Sequence, residues 1–290
     1  MRRSDVRRMV SDMKTLTMRD LKRPTASVLD ALLLLLACLQ VQAAVPADPA
    51  PTNSIPAALT SAAATGGLFR EGFDAYASGA YDEAATAFQE LAQRAPSAGT
   101  YHNLGNAEWK RGRTGEAILA WERGQWLDPY AANTRLNLRF ARHVAQLPSP
   151  QLAWYEFCST WLPVNAWALL AATSFWLALA LVLLPGILGW RKADWHQAVA
   201  AASLALFLLS LPALLGVHTR GETAIIRAKD TPLRLTPTRE AQLLGKLAAG
   251  EGVRRERRRG DYSYVRVGND AAGWVEHTQC GGLAQPSAGL

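Results

Sequence analysis

Residues 68–96 read LFREGFDAYASGAYDEAATAFQELAQRAP, and residues 101–129 read YHNLGNAEWKRGRTGEAILAWERGQWLDP. At an offset of 33, Gly72, Gly79, Ala84, Phe88 and Pro96 meet Gly105, Gly112, Ala117, Trp121 and Pro129. Agreement at these positions is an internal repeat rather than shared composition. Each copy reads as two helices joined at a short turn, Ser78-Gly79 in the first. Gly72 and Ala84 are small where two antiparallel helices must approach, and Tyr81 and Phe88 fill the space between them. Pro96 and Pro129 end the second helix of each pair. A further first helix follows at NTRLNLRFAR (133–142) without a complete partner, so it reads as a cap. Two pairs and a cap form a small solenoid. Such units need neighbours to bury a continuous core, so this one is expected to be marginal alone or docked on something.

The period and the Gly, Ala and Pro positions resemble the tetratricopeptide repeat. That resemblance implies a peptide-binding groove lined by first helices. Matching positions put Arg70, Phe73, His102, Asn103, Asn106, Trp109, Lys110 and Asn137 near it. Asn103 and Asn106 resemble asparagines that clasp a peptide backbone or carboxylate. The alternative is that Asn103 only satisfies helix ends. The accompanying lysine pattern of a carboxylate clamp is incomplete.

Outward from the repeat, the 290-residue chain divides by charge. Its net charge is +7, but residues 1–30 carry eight Lys and Arg against four Asp and Glu. Residues 19–23 (RDLKR) precede ALLLLLACLQVQAA, which ends at Ala44. A basic flank, a short apolar run and small residues Val41 and Ala43 read as a signal peptide over 1–43, cleaved after Ala43. Two readings stand beside it: a poor lipobox at Leu35–Cys38, and an uncleaved anchor. If this basic segment is removed, the case for nucleic-acid binding mostly dissolves. Residues 44–66, with prolines at 46, 49, 51 and 56, read as an extended Pro/Ala-rich linker.

From Phe157 to Trp190, and again from Trp195 to Thr219, the chain carries no formal charge. Each run exceeds the roughly 20 residues that cross a bilayer core. The spans are placed at 163–190 and 196–217, with Pro185 and Pro212 near their ends. Trp161, Trp190 and Trp195 sit where indoles meet headgroups. The exported signal peptide and the Arg191-Lys192 turn predict a bacterial inner membrane protein with both flanking domains periplasmic. Arg220, Arg227 and Lys229 weaken the charge bias. No charge lies inside either span, which argues against an ion pathway.

Residues 222–282 read as short strands between turns: TAIIRA, a hairpin region over 231–253, DYSYVRV and AAGWVEH. The arginine run RRERRRG (254–260) reads either as an anion-facing loop or as a solvated strand-and-turn edge, the second being favoured. The strand pattern with Tyr264-Val265-Arg266-Val267 and Gly273-Trp274-Val275 resembles the bacterial SH3-like domain. Trp274, Tyr264, Arg257 and Arg258 are its candidate surface, Trp274 more as core than as ligand shelf.

The fold class is thus multidomain: an all-α tetratricopeptide solenoid over 67–145, a transmembrane hairpin, and an all-β SH3-like barrel. Catalytic, cofactor and metal sites are not expected. The five histidines are scattered, and no metalloprotease, nucleophile-elbow or phosphate-loop motif occurs. Three cysteines give no CxxC pair, and a Cys158–Cys280 bridge is left open. The module order, with LFREGFDAYASGAYDEAATAFQEL, SAGTYHNLGNAEWKRGRTGEAILAWERG and NLRFAR, resembles the BatE-like proteins of the Bacteroides aerotolerance operon. That resemblance implies a non-enzymatic scaffold in an envelope stress complex. Its partners would be other membrane proteins, among them von Willebrand factor A domain proteins. A second expectation is peptidoglycan binding through the SH3-like domain. The lipid bilayer is a partner in either case; nucleic acid is not.

Overall fold

The computed structural model describes residues 57–189, 194–268 and 271–284. The proposed signal peptide, its cleavage site and Cys38 lie outside the described residues, as do Trp190, Arg191 and Lys192. Five helices come first: α1 (Ala57–Ala77), α2 (Tyr81–Arg94), α3 (Ala98–Lys110), α4 (Thr114–Leu127) and α5 (Ala132–Val144). A short α6 (Trp154–Cys158) and a 3-10 turn (Ser159–Trp161) lead to α7 (Val164–Ile187) and α8 (Asp194–Gly221). Seven strands follow: β1 (Thr223–Ile226), β2 (Thr231–Arg234), β3 (Leu243–Leu247), β4 (Gly252–Arg259), β5 (Tyr262–Val267), β6 (Ala271–Glu276) and β7 (Cys280–Gly282).

The first five helices pack in sequence, each on the next. The repeat seen in the sequence recurs in the packing. A Cβ at Gly72 would stand 2.9 Å from the Phe88 ring, and one at Gly105 would overlap the Trp121 indole. Each bulky ring on a second helix therefore lies where its first helix lacks a side chain. Phe88 belongs to a core with Ala84, Leu91, Tyr101 and Leu104.

The turns repeat as well, down to their hydrogen bonds. Gly79 N–H donates to Tyr76 O, Gly112 N–H to Trp109 O, and Gln146 N–H to His143 O, at 3.2, 3.0 and 3.1 Å. One residue on, Ala80, Arg113 and Leu147 donate to Ala75, Glu108 and Arg142. All three turn residues have positive φ: 85° at Gly79, 75° at Gly112 and 53° at Gln146. The cap therefore keeps the turn of the first two units while placing a side chain where they have glycine. Left-handed backbone costs an L-residue about 1–2 kcal/mol, partly offset by the greater unfolded-state freedom of glycine. Gln146→Gly is expected to raise stability by about 0.5–1 kcal/mol, read from urea unfolding in detergent. A variant no more stable than the parent would show that this turn is unstrained.

Helix α1 begins at Ala57, inside the stretch read as extended linker. The correction has a local cause. Pro56 is the last proline, and AALTSAAATGG after it is rich in the best helix former.

Helices α7 and α8 pack along each other, and each is long and apolar enough to cross a membrane. Pro212 sits well inside α8, which continues to Gly221, rather than near a helix end. Proline lacks an N–H, so one backbone carbonyl of that helix loses its usual donor there. Helix α6 packs against the far end of α8. The approach is close enough that a Cβ at Gly216 would overlap the Tyr155 carbonyl.

The strands form one antiparallel sheet, in the order β3-β2-β6-β5-β4-β1-β7. Ala224, Ile226, Leu233, Val253, Val265 and Val275 make its core. The arginine-rich strand is not an edge over its whole length. β4 lies between β1 and β5, and only the part beyond Arg255 lacks a backbone partner on the β1 side. Cys158 and Cys280 are free thiols, and the bridge between them is not formed.

The sheet docks on the helical layer. Ile225 and Leu283 join Ala117, Ile118, Leu119, Trp121, Leu138 and Ala141 in one core. β1 thus sends Ala224 and Ile226 into the sheet and Ile225 into the helices, as a period of two requires. The sheet provides the apolar wall that a partner helix for α5 would have supplied.

Candidate functional site

Three surfaces collect the sequence-selected residues. The first is the exposed side of α1, α3 and α5. The turns at Gly79, Gly112 and Gln146 are 33 and then 34 residues apart, which aligns Phe69 and Phe73 of α1 with His102 and Asn106 of α3, and these with Leu136 and Phe140 of α5. Phe73 and Phe140 are both 58% exposed, and Phe69, Leu136 and Val144 are exposed too. Positions four apart share a helix face. Leu136, Phe140 and Val144 therefore form an apolar stripe on α5, with a second stripe at Phe69 and Phe73 on α1. Between them, α3 presents His102, Asn106 and Lys110.

Several of these residues already hold the helices together. His102 Nδ1 lies 2.9 Å from Thr134 Oγ1, joining α3 to α5. Asn137 Nδ2 donates to Asn106 Oδ1 at 2.9 Å. Trp121 Nε1 donates to His102 O at 3.2 Å and to Asn106 Oδ1 at 3.3 Å. Trp109 packs on both Trp121 and Phe140. Burial holds the His102 imidazole below its ordinary value of 6.5, favouring the neutral ring. Asn103 is half-buried, while Arg70, Phe73 and Lys110 are exposed. The polar stripe is consequently prearranged by its own network, with the exposed side chains around it.

The second surface is the seam between helices and sheet. A cleft of about 250 Å3 there is lined by Glu108, Arg113, Glu116, Arg123 and Arg227, among others. Arg227 pairs with Glu116 at 2.7 Å, and Arg123 Nε donates to Gly282 O at 3.0 Å. A Cβ at Gly115 would overlap the Arg227 carbonyl, so glycine permits this close approach. Burial raises the Glu108 carboxyl against the opposing pull of Arg111 and Arg113. Burial also pushes the Arg123 guanidinium down. Sequence reasoning placed none of these residues in a site. Their signal lies in long-range pairing, which a helical period cannot show.

The third surface is the outer face of the sheet. Strand register sets Arg257 opposite Tyr264, Tyr264 opposite Trp274, and Trp274 opposite Arg234. Directly opposed residues share a face, so these four form one row across four strands. The Tyr264 and Trp274 rings are 5.3 Å apart at 64°. Trp274 is half-buried and lies outside the buried core of the sheet. Arg258 opposes the buried Ser263 and belongs to the other face.

His277 is drawn to Ser263, with Nδ1 3.1 Å from Oγ, and the Cys280 thiol bonds the His277 carbonyl at 3.5 Å. Burial lowers the His277 imidazole, helped by Arg258 and Arg255, and raises the Cys280 thiol. A buried thiol kept in its neutral form is a poor nucleophile. This trio ties the end of β6 to β5. Among the described residues, no group of three or more His, Cys, Asp or Glu could hold a metal ion.

Comparisons with protein-family models, with curated proteins and with solved structures find no match to this chain.

Proposed function

We propose that the chain is a non-enzymatic, membrane-anchored scaffold that holds a segment of a partner protein against α1, α3 and α5. The supporting observation is the pairing of two exposed apolar stripes, on α1 and α5, with a polar one between them at matching positions of α3. Such a surface suits an amphipathic segment: apolar anchors on both sides, and hydrogen-bonding groups along the middle. In this reading the helices are tetratricopeptide repeats and the sheet is a bacterial SH3-like domain. α7 and α8 span a bacterial inner membrane, with both folded regions on the periplasmic side. The BatE-like resemblance would make the partners membrane proteins of an envelope stress complex, von Willebrand factor A domain proteins among them.

The test is crosslinking and detergent co-purification of the tagged full chain from intact membranes, with and without prior muramidase digestion. The same membrane proteins are expected in both samples. Phe73→Glu with Phe140→Glu should reduce their recovery at least about tenfold, since each change puts a charge on an apolar anchor. Wall fragments alone, lost on digestion, would move the function to the sheet and leave the helices as a spacer. A bait that brings no membrane protein down would end the scaffold reading.

A further inference from the structure

We propose that the overhanging end of the β4–β5 hairpin binds anionic phospholipid headgroups of the bilayer that α7 and α8 cross. The inference rests on reading those two helices as spans. Strand β1 starts at Thr223, directly after α8 ends at Gly221. Its antiparallel neighbour β4 runs the opposite way. Arg254 stands opposite Thr223, and Arg255 N–H donates to Glu222 O at 3.0 Å. Glu256, Arg257, Arg258 and Arg259 then continue past the junction, beside β5 alone, to a turn at Gly260. At about 3.3 Å per residue the overhang is roughly 13 Å. It runs back past the point where the chain leaves the second apolar helix.

A second contact places the same strand independently. Arg254 pairs with Glu156 of α6, a helix that packs on the last turns of α8 and precedes the start of α7. Because α7 and α8 form a hairpin, α6 and the start of β1 share one end of the pair. At that end Trp154, Phe157 and Trp161 are 68%, 56% and 57% exposed, as residues at a headgroup boundary would be.

The charge on the overhang is uncommitted. Arg254 is taken by Glu156, and Arg266 pairs with Glu256. Among the described residues, Arg257, Arg258 and Arg259 have no carboxylate partner. Guanidinium groups recognise phosphate through paired N–H donors. An anionic membrane surface supplies phosphates at the level where the indoles lie.

The test uses the full chain in lipid nanodiscs, either of phosphatidylcholine alone or with added phosphatidylglycerol. Amide hydrogen exchange of residues 256–264 is the readout. Each arginine near an anionic surface is worth about a fivefold change in association. Exchange is expected to slow at least about fivefold with phosphatidylglycerol, and to revert at high salt. The triple variant R257Q/R258Q/R259Q should lose the effect, while exchange in α2 to α4 stays unchanged. Equal exchange of the parent chain in both discs overturns the proposal. So does equal protection in phosphatidylcholine discs from inorganic phosphate or from a soluble anionic wall polymer. A chain that leaves the discs altogether overturns the span reading as well, and so separates the two failures.

Discussion

Trp121→Ala is expected to lower the unfolding free energy by about 4 kcal/mol. Trp121 is 2% exposed and lies where Gly105 offers no side chain of its own. Truncation leaves a void that the glycine cannot fill, on top of the lost transfer energy of the ring. It also removes the donor that serves both the His102 carbonyl and Asn106 Oδ1. The indole shares its core with Ile225 and Leu283 of the sheet, so the damage is not confined to the helices. Phe88→Ala, within the first helical core, is the control that should spare the sheet contact. Urea unfolding in detergent, followed by near-ultraviolet circular dichroism, measures both. A loss below about 1 kcal/mol for Trp121→Ala would mean the neighbouring helices collapse into the space.

Arg254→Ala is expected to cost about 1–3 kcal/mol and to free the sheet from α6. Glu156 is 2% exposed, and Arg254 is its ion-pair partner. Its other oxygen accepts from the Ala153 backbone N–H at 3.0 Å. Arg220 holds the same corner by donating to Ser159 Oγ at 3.1 Å and lying over the Trp126 ring. Removing Arg254, whose own side chain is 43% exposed, leaves a largely buried carboxylate with only the Ala153 N–H and the nearby Arg220 charge to stabilise it. Removing the charge as well should restore most of the loss, because an uncharged buried amide is far cheaper than an unpaired carboxylate. Glu156→Gln combined with Arg254→Ala is therefore expected to be more stable than Arg254→Ala alone. Limited proteolysis between α5 and α6 reports whether the joint has opened. If the double variant is no more stable than the single one, the unpaired charge is not the source of the cost.

Some of this architecture is legible in the residues. The Gly79 and Gly112 turns and the ring-over-glycine packing follow from the 33-residue offset, because local sterics fix both. The third turn was not visible, since Gln146 occupies the glycine position and only the backbone reveals the likeness. The two apolar helices follow from length and absence of charge. The docking of the sheet had one clue: TAII in β1 shows no polar alternation, as expected of a strand covered on both faces. Nothing local named the other side of that contact. Arg227 and Glu116 pair across 111 residues of chain, and Arg123 reaches Gly282 across 159. His102, Asn106 and Lys110 of α3 are spaced four apart and so share one face, but the hydrogen bonds of His102 and Asn106 depend on how α5 lies beside them. Similarly, the Arg257–Tyr264–Trp274–Arg234 row exists only through strand register.

The shared core around Ile225 also sets an order of events during synthesis. The helical layer leaves the ribosome first, and Ile118 and Leu119 then have no wall to pack against. That wall arrives only after two long apolar helices have been made. Contacts this distant in sequence form late, because loop closure precedes any gain from them. Until then the nascent chain carries an open apolar flank, a liability for aggregation. A chain that stops before residue 222 would keep that flank for its lifetime. Premature termination near the C-terminus would therefore act on the first-made part of the molecule.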